Sequence, residues 1–142
     1  MNFALTDDQT MIRDAAESFL ADASGSAAVR AIAESPSGYD PDIWNRIASE
    51  MGWCATTVPE EHGGLGLGPV EATLIFEQAG RRLLSSPFFP VVALAANLLQ
   101  QVGSAAAQKR FLGPIAEGKL RLTVPMPADG WPARLKATGG GS

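Results

Sequence analysis

The stretch Phe88-Phe89-Pro90-Val91-Val92-Ala93-Leu94-Ala95-Ala96 decides the fold, because it opens a run of apolar residues that continues to Val102 with few interruptions. A helix that is apolar on nearly every side is buried among other helices. The stretch therefore predicts a helix over 88–102 in the middle of a helical bundle, ending before Gly103. The nearly uncharged run from Pro87 to Leu99 contains two prolines and Asn97, and it is too short to span a bilayer.

The residues around this stretch carry signals for the starts and ends of further helices. Thr6 and Gln9 have the spacing of a capping box, in which each residue satisfies a backbone group of the other. Asp40-Pro41 is a second start, since Asp accepts hydrogen bonds from the first turn and Pro fits the first helical position. Periodic apolar residues then predict helices from Thr6 to Gly25, over 27–33, from Pro41 to Gly52, over 69–84 and over 104–111, where Gly113-Pro114 breaks the last one.

The pattern changes near Gly118. Leu120-Arg121-Leu122-Thr123-Val124 alternates apolar and polar residues, as a β-strand with one buried face does. The charge changes as well: residues 1–118 carry seven Lys/Arg against fourteen Asp/Glu, whereas residues 119–142 carry four against one. The sequence predicts an all-α bundle of about six helices over 1–118. Over 119–142 it predicts a short β segment, the truncated start of a second domain.

Composition argues against several classes of function. The 142 residues include one cysteine, Cys54, and one histidine, His62, which exclude an intramolecular disulfide and a Cys/His zinc cluster. A pI near 4.9 argues against nucleic acid as a partner, because binding to phosphates needs clustered positive charge. The N-terminus has neither the basic start nor the apolar core of a signal peptide, so we expect a cytoplasmic protein.

The glycine-rich segment Gly64-Leu65-Gly66-Leu67-Gly68 invites comparison with a dinucleotide-binding loop, in which glycines let the backbone approach a pyrophosphate. The comparison fails at Pro69, which stands near the place of the last required glycine, and no βαβ pattern surrounds the segment. The sequence therefore favours a connection between helices over a phosphate site.

Cys54 and His62 have the residue types of a nucleophile and its base. A lone cysteine beside Trp53 is more typical of a small buried hydrophobic residue, and no third group is placed to orient the histidine. We assign no catalytic residue and no metal ligand.

The apolar run has two interpretations. As a core helix it needs no ligand, and this is the simpler interpretation. The small residues Ala93, Ala95 and Ala96 would also leave room for a lipid-like chain, because pockets for such ligands are lined by apolar side chains.

Three segments taken together resemble the N-terminal helical domain of the acyl-CoA dehydrogenase family. Leu5-Thr6-Asp7-Asp8-Gln9 is similar to the start of that family's first helix. Residues 44–52, followed by Val58-Pro59-Glu60-Glu61-His62-Gly63-Gly64-Leu65-Gly66, resemble its W-x-x-(L/M)-x-x-x-G-W and P-E-x-x-G-G-x-G signature. Gln108-Lys109-Arg110-Phe111-Leu112 and residues 114–118 resemble the segment that leads into the family's middle β domain.

The resemblance implies an FAD-dependent enzyme that removes two hydrogens from the α and β carbons of an acyl-CoA thioester. If it is a dehydrogenase, electrons pass to an electron-transfer flavoprotein, and the complete protein would be a homo- or hetero-oligomer. The family's glutamate base lies in a C-terminal domain, so no residue here inherits that role. By the resemblance, the acyl chain would contact Phe88, Phe89, Val91, Val92, Leu94 and Ala95, and the flavin would contact Leu122, Val124, Pro125, Gly130 and Trp131.

The flavin-facing segment departs from the family pattern T-E-P-x-x-G-S-D. Aligned without gaps, residues 125–132 match it at Pro127 and Gly130, while Pro125 and Trp131 replace hydroxyl side chains. Flavin contact would then rest on backbone groups and on Trp131, since proline has no N–H to donate. We expect the chain alone to be inactive. Two alternatives stay open: a non-catalytic helical interaction module, and a flavin oxidase or monooxygenase on the same fold.

Overall fold

The computed structural model describes residues 4–124, and six α-helices account for most of that range. Two 3₁₀ turns, Trp53–Ala55 and Glu60–His62, lie between α3 and α4, and a π-helical segment, Phe89–Ala96, runs directly into α5. The prediction of an all-α fold with about six helices is confirmed. The helices are α1 (Asp7–Ala23), α2 (Ser26–Ala33), α3 (Pro41–Ser49), α4 (Pro69–Arg81), α5 (Asn97–Val102) and α6 (Ala105–Ala116).

Helices α1, α3 and α6 begin at the capping residues that the sequence indicates. The Thr6 hydroxyl accepts from the Gln9 backbone N–H at 3.2 Å, and the Gln9 side chain accepts from the Thr6 N–H at 3.1 Å. Asp40 accepts from the Asp42 N–H at 2.8 Å, ahead of Pro41. These bonds satisfy backbone donors that a helix start otherwise leaves without partners.

The core is built around a chain of aromatic rings. Phe19 of α1 meets Trp53 edge to face at 5.3 Å, Trp53 meets Phe88 at 5.6 Å, and Phe88 stacks on Phe76 of α4 at 4.6 Å. Offset and edge-to-face pairs of this kind add to the free energy gained by burying the rings. Helix α1 packs mainly against α4, so this aromatic chain joins the first helices to the residues that precede the π-helical segment.

We call residues 89–102 the central rod, which consists of the π-helical segment and α5. Its first half is buried as predicted, with Val91, Val92 and Ala96 inside the core. The expectation of burial on all sides is wrong for α5, which has no buried residue and exposes Leu98 and Val102. Within the described part of the chain, the rod therefore lies at the side of the bundle, with only its first half facing inwards.

The predicted break at Gly113-Pro114 is wrong, since α6 continues through Pro114 to Ala116. Pro114 has no N–H to donate to the carbonyl of Arg110, four residues earlier, but Arg110 is exposed, so water can bond that carbonyl instead. The Pro114 carbonyl oxygen accepts from the backbone N–H groups of Lys119 and Leu120, at 3.0 Å each. These two bonds fold the chain back after the helix ends.

Residues 119–124 show the alternation expected of a strand, with Leu120, Leu122 and Val124 partly buried and Arg121 and Thr123 exposed. No strand forms within residues 4–124, so the predicted β segment is not confirmed there. Its remainder, and with it most of the predicted second domain, lies outside the described residues.

Candidate functional site

A groove of about 560 Å³ lies between α4 and the central rod. Helix α4 supplies one wall, the rod the other, and the loop between α3 and α4 closes one end. Its lining is apolar on the π-helical side, mostly apolar on the α4 side, where Thr73 is the exception, and polar along α5. The lining residues are Thr57, Leu67, Pro69, Ala72, Thr73, Phe76, Val92, Ala93, Asn97, Gln100 and Gln101.

The six residues that the resemblance assigns to the acyl chain do not share one cavity. Val92 lines the groove, Phe88 and Phe89 line a second hollow of about 320 Å³ beside Leu83, and Val91 lines a third of about 440 Å³. Four of the six side chains are buried in the core, Leu94 is partly buried, and Phe89 is 56% exposed. Their contact with an acyl chain stays a prediction.

Sequence reasoning missed the polar edge of the groove. Asn97, Gln100 and Gln101 follow the apolar run at positions i, i+3 and i+4 of α5, the spacing that places side chains on one face of a helix. The amide of Gln101 donates to the Asn97 side-chain oxygen at 2.8 Å, and the Gln100 amide donates to the Ala96 carbonyl at 3.2 Å. The missed signal was therefore a row of amides that continues the face carrying Val92.

The segment assigned to the flavin is described only at Leu122 and Val124, while Pro125, Gly130 and Trp131 lie outside the described residues. Leu122 lines the third hollow, where the Arg121 guanidinium lies over the Tyr39 ring at 5.5 Å. The backbone groups of residues 122–124 make no hydrogen bond to another described residue.

The glycine-rich segment is a packed connection, as the sequence favours. Its backbone N–H groups are used internally: Leu65 donates to Ala55 at 2.9 Å, Gly66 to Val58 at 2.9 Å and Leu67 to Thr56 at 2.8 Å. A Cβ atom at Gly64 would come within 1.8 Å of the Val58 carbonyl oxygen, so the glycine permits this close approach. N–H groups already bonded within the loop are not free to hold a phosphate.

The structure supports the simpler interpretation of Cys54, that of a small buried hydrophobic residue. The side chain is fully buried, and this burial raises the pKa of the thiol from its ordinary value of 9.0 to about 12. A thiol must ionise to act as a nucleophile, and burial in apolar surroundings opposes ionisation. His62 lies instead beside Glu61, with 3.6 Å between the imidazole nitrogen and the carboxylate.

Residues 4–124 contain neither a cluster of metal-binding side chains nor a helix able to span a membrane. No group of three or more His, Cys, Asp or Glu side chains is placed there to hold a metal ion. None of the helices in that range combines the length and apolar character needed to cross a membrane.

Comparison with known proteins gives one family match. The model of the acyl-CoA dehydrogenase N-terminal domain matches residues 6–119. Acyl-CoA dehydrogenase IpdE2 of Mycobacterium tuberculosis is 31% identical over 112 residues, which cover 79% of this chain and 34% of the relative. The chain therefore spans about a third of the length of this relative.

Solved structures agree with the family match. The G363A variant of the Tcur3481-Tcur3483 steroid ACAD superposes with a TM-score of 0.75 at 28% identity, covering 82% of this chain and 32% of the other. The ChsE4-ChsE5 complex from Mycobacterium tuberculosis gives a TM-score of 0.78 at 23% identity, covering 87% and 34% of the two chains, and supports the fold alone.

Proposed function

The chain belongs to the acyl-CoA dehydrogenase family, and from that premise we propose that it supplies the N-terminal helical domain of an FAD-dependent enzyme that oxidises acyl-CoA thioesters. The observation that carries this proposal is the family match over residues 6–119, which includes the apolar run and, apart from Leu5, all three segments of the resemblance. When bound, the flavin accepts the hydride that leaves the β carbon of the acyl group.

The residues of this chain bind and orient the acyl group and keep water away from it. Phe76, Val92 and Ala93 give the groove an apolar surface, on which an acyl chain is desolvated as it binds. No charged side chain is among the described residues that line the groove. By the family resemblance, the base that removes the α proton belongs to a C-terminal domain, and we expect the 142 residues by themselves to be inactive.

The substrate and the assembly are further parts of the proposal. The similar Tcur3481-Tcur3483 structure is a steroid ACAD whose name joins two components. This similarity favours a bulky acyl group and assembly with a second, related subunit for this chain. An electron-transfer flavoprotein would accept the electrons of such a dehydrogenase.

The experiment is to isolate the protein containing this chain, with the polypeptides that copurify, and to follow its visible flavin absorbance while acyl-CoA is added without oxygen. We expect a yellow protein whose colour bleaches when substrate is added. A bound flavin that no acyl-CoA reduces would refute the proposal. The 142-residue chain with added FAD is the control and is expected to show no turnover.

The two alternatives give different results in the same experiment. A colourless protein in every preparation would favour the non-catalytic module, which the replacement of hydroxyl side chains by Pro125 and Trp131 supports. Rapid reoxidation of the reduced flavin by oxygen would favour an oxidase or monooxygenase. Slow reoxidation by oxygen, with fast transfer to an electron-transfer flavoprotein, is the result expected of a dehydrogenase.

A further inference from the structure

The groove between α4 and the central rod changes character along its length. Most of the surface is apolar, whereas α5 presents a row of amides and the opposite side adds the hydroxyl groups of Thr57 and Thr73. The apolar residues are Leu67, Pro69, Ala72, Phe76, Val92 and Ala93, and the amides are Asn97, Gln100 and Gln101. A site of about 560 Å³ is in the size range of pockets that hold a ligand of tens of atoms. A purely hydrocarbon ligand would fit the apolar surface but would make no hydrogen bond to the amides.

The π-helical winding of the rod brings the two parts of the groove together. A π-helix has hydrogen bonds between residues i and i+5 and a turn of more than four residues, so residues four and five apart share one face. Val92 and Asn97 are five residues apart, and both line the groove. Because α5 continues from the π-helical segment without a break, Gln100 and Gln101 extend the same face.

The amides keep free hydrogen-bonding groups in spite of their internal bonds. Gln101 uses one N–H to reach the Asn97 oxygen, and Gln100 uses one to reach the Ala96 carbonyl. The side-chain NH₂ of Asn97 and the side-chain oxygens of Gln100 and Gln101 have no partner among the described residues. The groove therefore offers both donors and acceptors beside an apolar surface, and no charge.

This pattern matches a particular class of ligand. An ionised carboxylate or ammonium group would find no opposite charge here, whereas a hydroxyl group can accept from an amide N–H and donate to an amide oxygen. A keto group can accept from the N–H groups. We propose that the groove binds an acyl group that carries a hydroxyl or keto oxygen away from its thioester, held by Asn97, Gln100 and Gln101. This inference rests on the proposed function, whose substrate class it narrows.

The inference is tested by binding, which requires neither flavin nor turnover. The ¹⁵N-labelled 142-residue chain is titrated, below the micellar range, with 5β-cholanate, lithocholate and cholate, which share one ring system and carboxylate but bear zero, one and three hydroxyl groups. We expect the largest shifts at the side-chain amides of Asn97 and Gln101. Cholate should gain about tenfold in affinity relative to cholanate for each well-matched hydroxyl group.

Substitutions separate hydrogen bonding from hydrophobic binding. The double variant Asn97→Leu/Gln101→Leu should still bind cholanate but lose the preference for cholate. Asn45→Leu, which removes an exposed amide on α3, is the matched control and should keep the preference. Three results would overturn the inference. The double variant could prefer cholate over cholanate as strongly as the wild-type chain does, the NMR shifts could be confined to other surfaces, or none of the probes could bind. Reduction of the assembled flavoprotein by acyl-CoA would still support the proposed function in each of those cases.

Discussion

The indole N–H of Trp44 donates to the backbone carbonyl oxygen of Gly118 at 3.0 Å, joining α3 to the turn after α6. Trp44 is almost fully buried, so the bond satisfies a donor that would otherwise be unpaired in the core. Gly118 lies at φ +70°. A Cβ atom at this position would approach the Ala48 Cβ atom to 2.3 Å. This hydrogen bond and this close approach hold the turn after α6 against α3, in addition to the two bonds that the Pro114 carbonyl accepts.

The variant Gly118→Ala should be less stable by about 2 kcal/mol, because alanine disfavours the left-handed region and its methyl group would overlap Ala48. The measurement is urea unfolding followed by circular dichroism. Gly80→Ala is the matched control, since Gly80 lies within α4 with open space around it. That control should gain about 0.5–1 kcal/mol from the better helix propensity of alanine. A fully stable Gly118→Ala variant would contradict the close approach.

Glu71 makes the stability of the bundle depend on pH. The Gln9 side chain donates to one Glu71 oxygen at 2.8 Å, and the Gly68 N–H donates to the other at 2.9 Å. These hydrogen bonds, of which the one from Gln9 has the largest effect, hold the pKa of Glu71 below its ordinary value of 4.5. The resulting stability is fully present above the pKa of the unfolded chain and is lost as the pH falls through the folded pKa.

The variant Glu71→Gln should therefore lose less thermal stability than the wild-type chain when the pH is lowered from neutral to about 3, since it lacks the titrating carboxyl group. Melting temperatures measured across that range give the comparison. Glu77→Gln, which removes an exposed carboxylate of the same helix, is the control. If the melting temperatures of the wild-type chain and of Glu71→Gln fall equally with pH, the bonds to Gln9 and Gly68 do not favour the charged carboxylate.

Cys54 should be inert in the folded chain. Its thiol is fully buried with a pKa of about 12, and it is the only cysteine, so any thiol reaction reports on this one site. At neutral pH we expect Ellman's reagent to react at least about a hundredfold more slowly in buffer than in denaturant, because the reactive thiolate is scarce and enclosed. The reaction of free glutathione in the same denaturant is the control for the effect of the denaturant on the reagent. Fast reaction of the folded chain would show that Cys54 is accessible.

Local signals in the sequence predicted most of the helix starts. The capping box at Thr6 and the Asp40-Pro41 start act through neighbours within one turn, so they are readable without knowledge of the tertiary structure. The predicted helix break at Pro114 was wrong because the effect of a proline depends on its position in the helix and on contacts from more distant residues. A proline breaks a helix when the lost hydrogen bond lies well inside it, but Pro114 lies in the last turn, and bonds from residues beyond the helix use its carbonyl.

The site was less predictable because its shape depends on how the rod is wound and packed. Apolar residues at 88–95 look alike in sequence, yet the structure buries Phe88 and exposes Phe89. The amides of α5 are unremarkable as a sequence pattern. They gained a candidate role only when the π-helical segment placed Asn97 on the same face as Val92.

Phe88 and Phe89 provide a test that separates core packing from acyl binding. Phe88 is 2% exposed and stacks on Phe76, so Phe88→Ala should cost about 3–5 kcal/mol of unfolding free energy. Phe89 is 56% exposed and touches Phe76 only edge to face at 5.6 Å, so Phe89→Ala should cost about 1 kcal/mol or less. Urea unfolding of both variants measures the difference.

The second part of this test is the affinity of the assembled flavoprotein for acyl-CoA. If Phe89 contacts the acyl chain, Phe89→Ala should weaken binding severalfold while leaving the fold intact, because its exposed ring is the apolar surface that the acyl chain would cover. Val102→Ala is the control, since Val102 is an exposed apolar residue at the far end of the central rod. Unchanged affinity in Phe89→Ala would contradict the predicted contact of Phe89 with the acyl chain, and would not affect the proposed binding in the groove that Val92 lines.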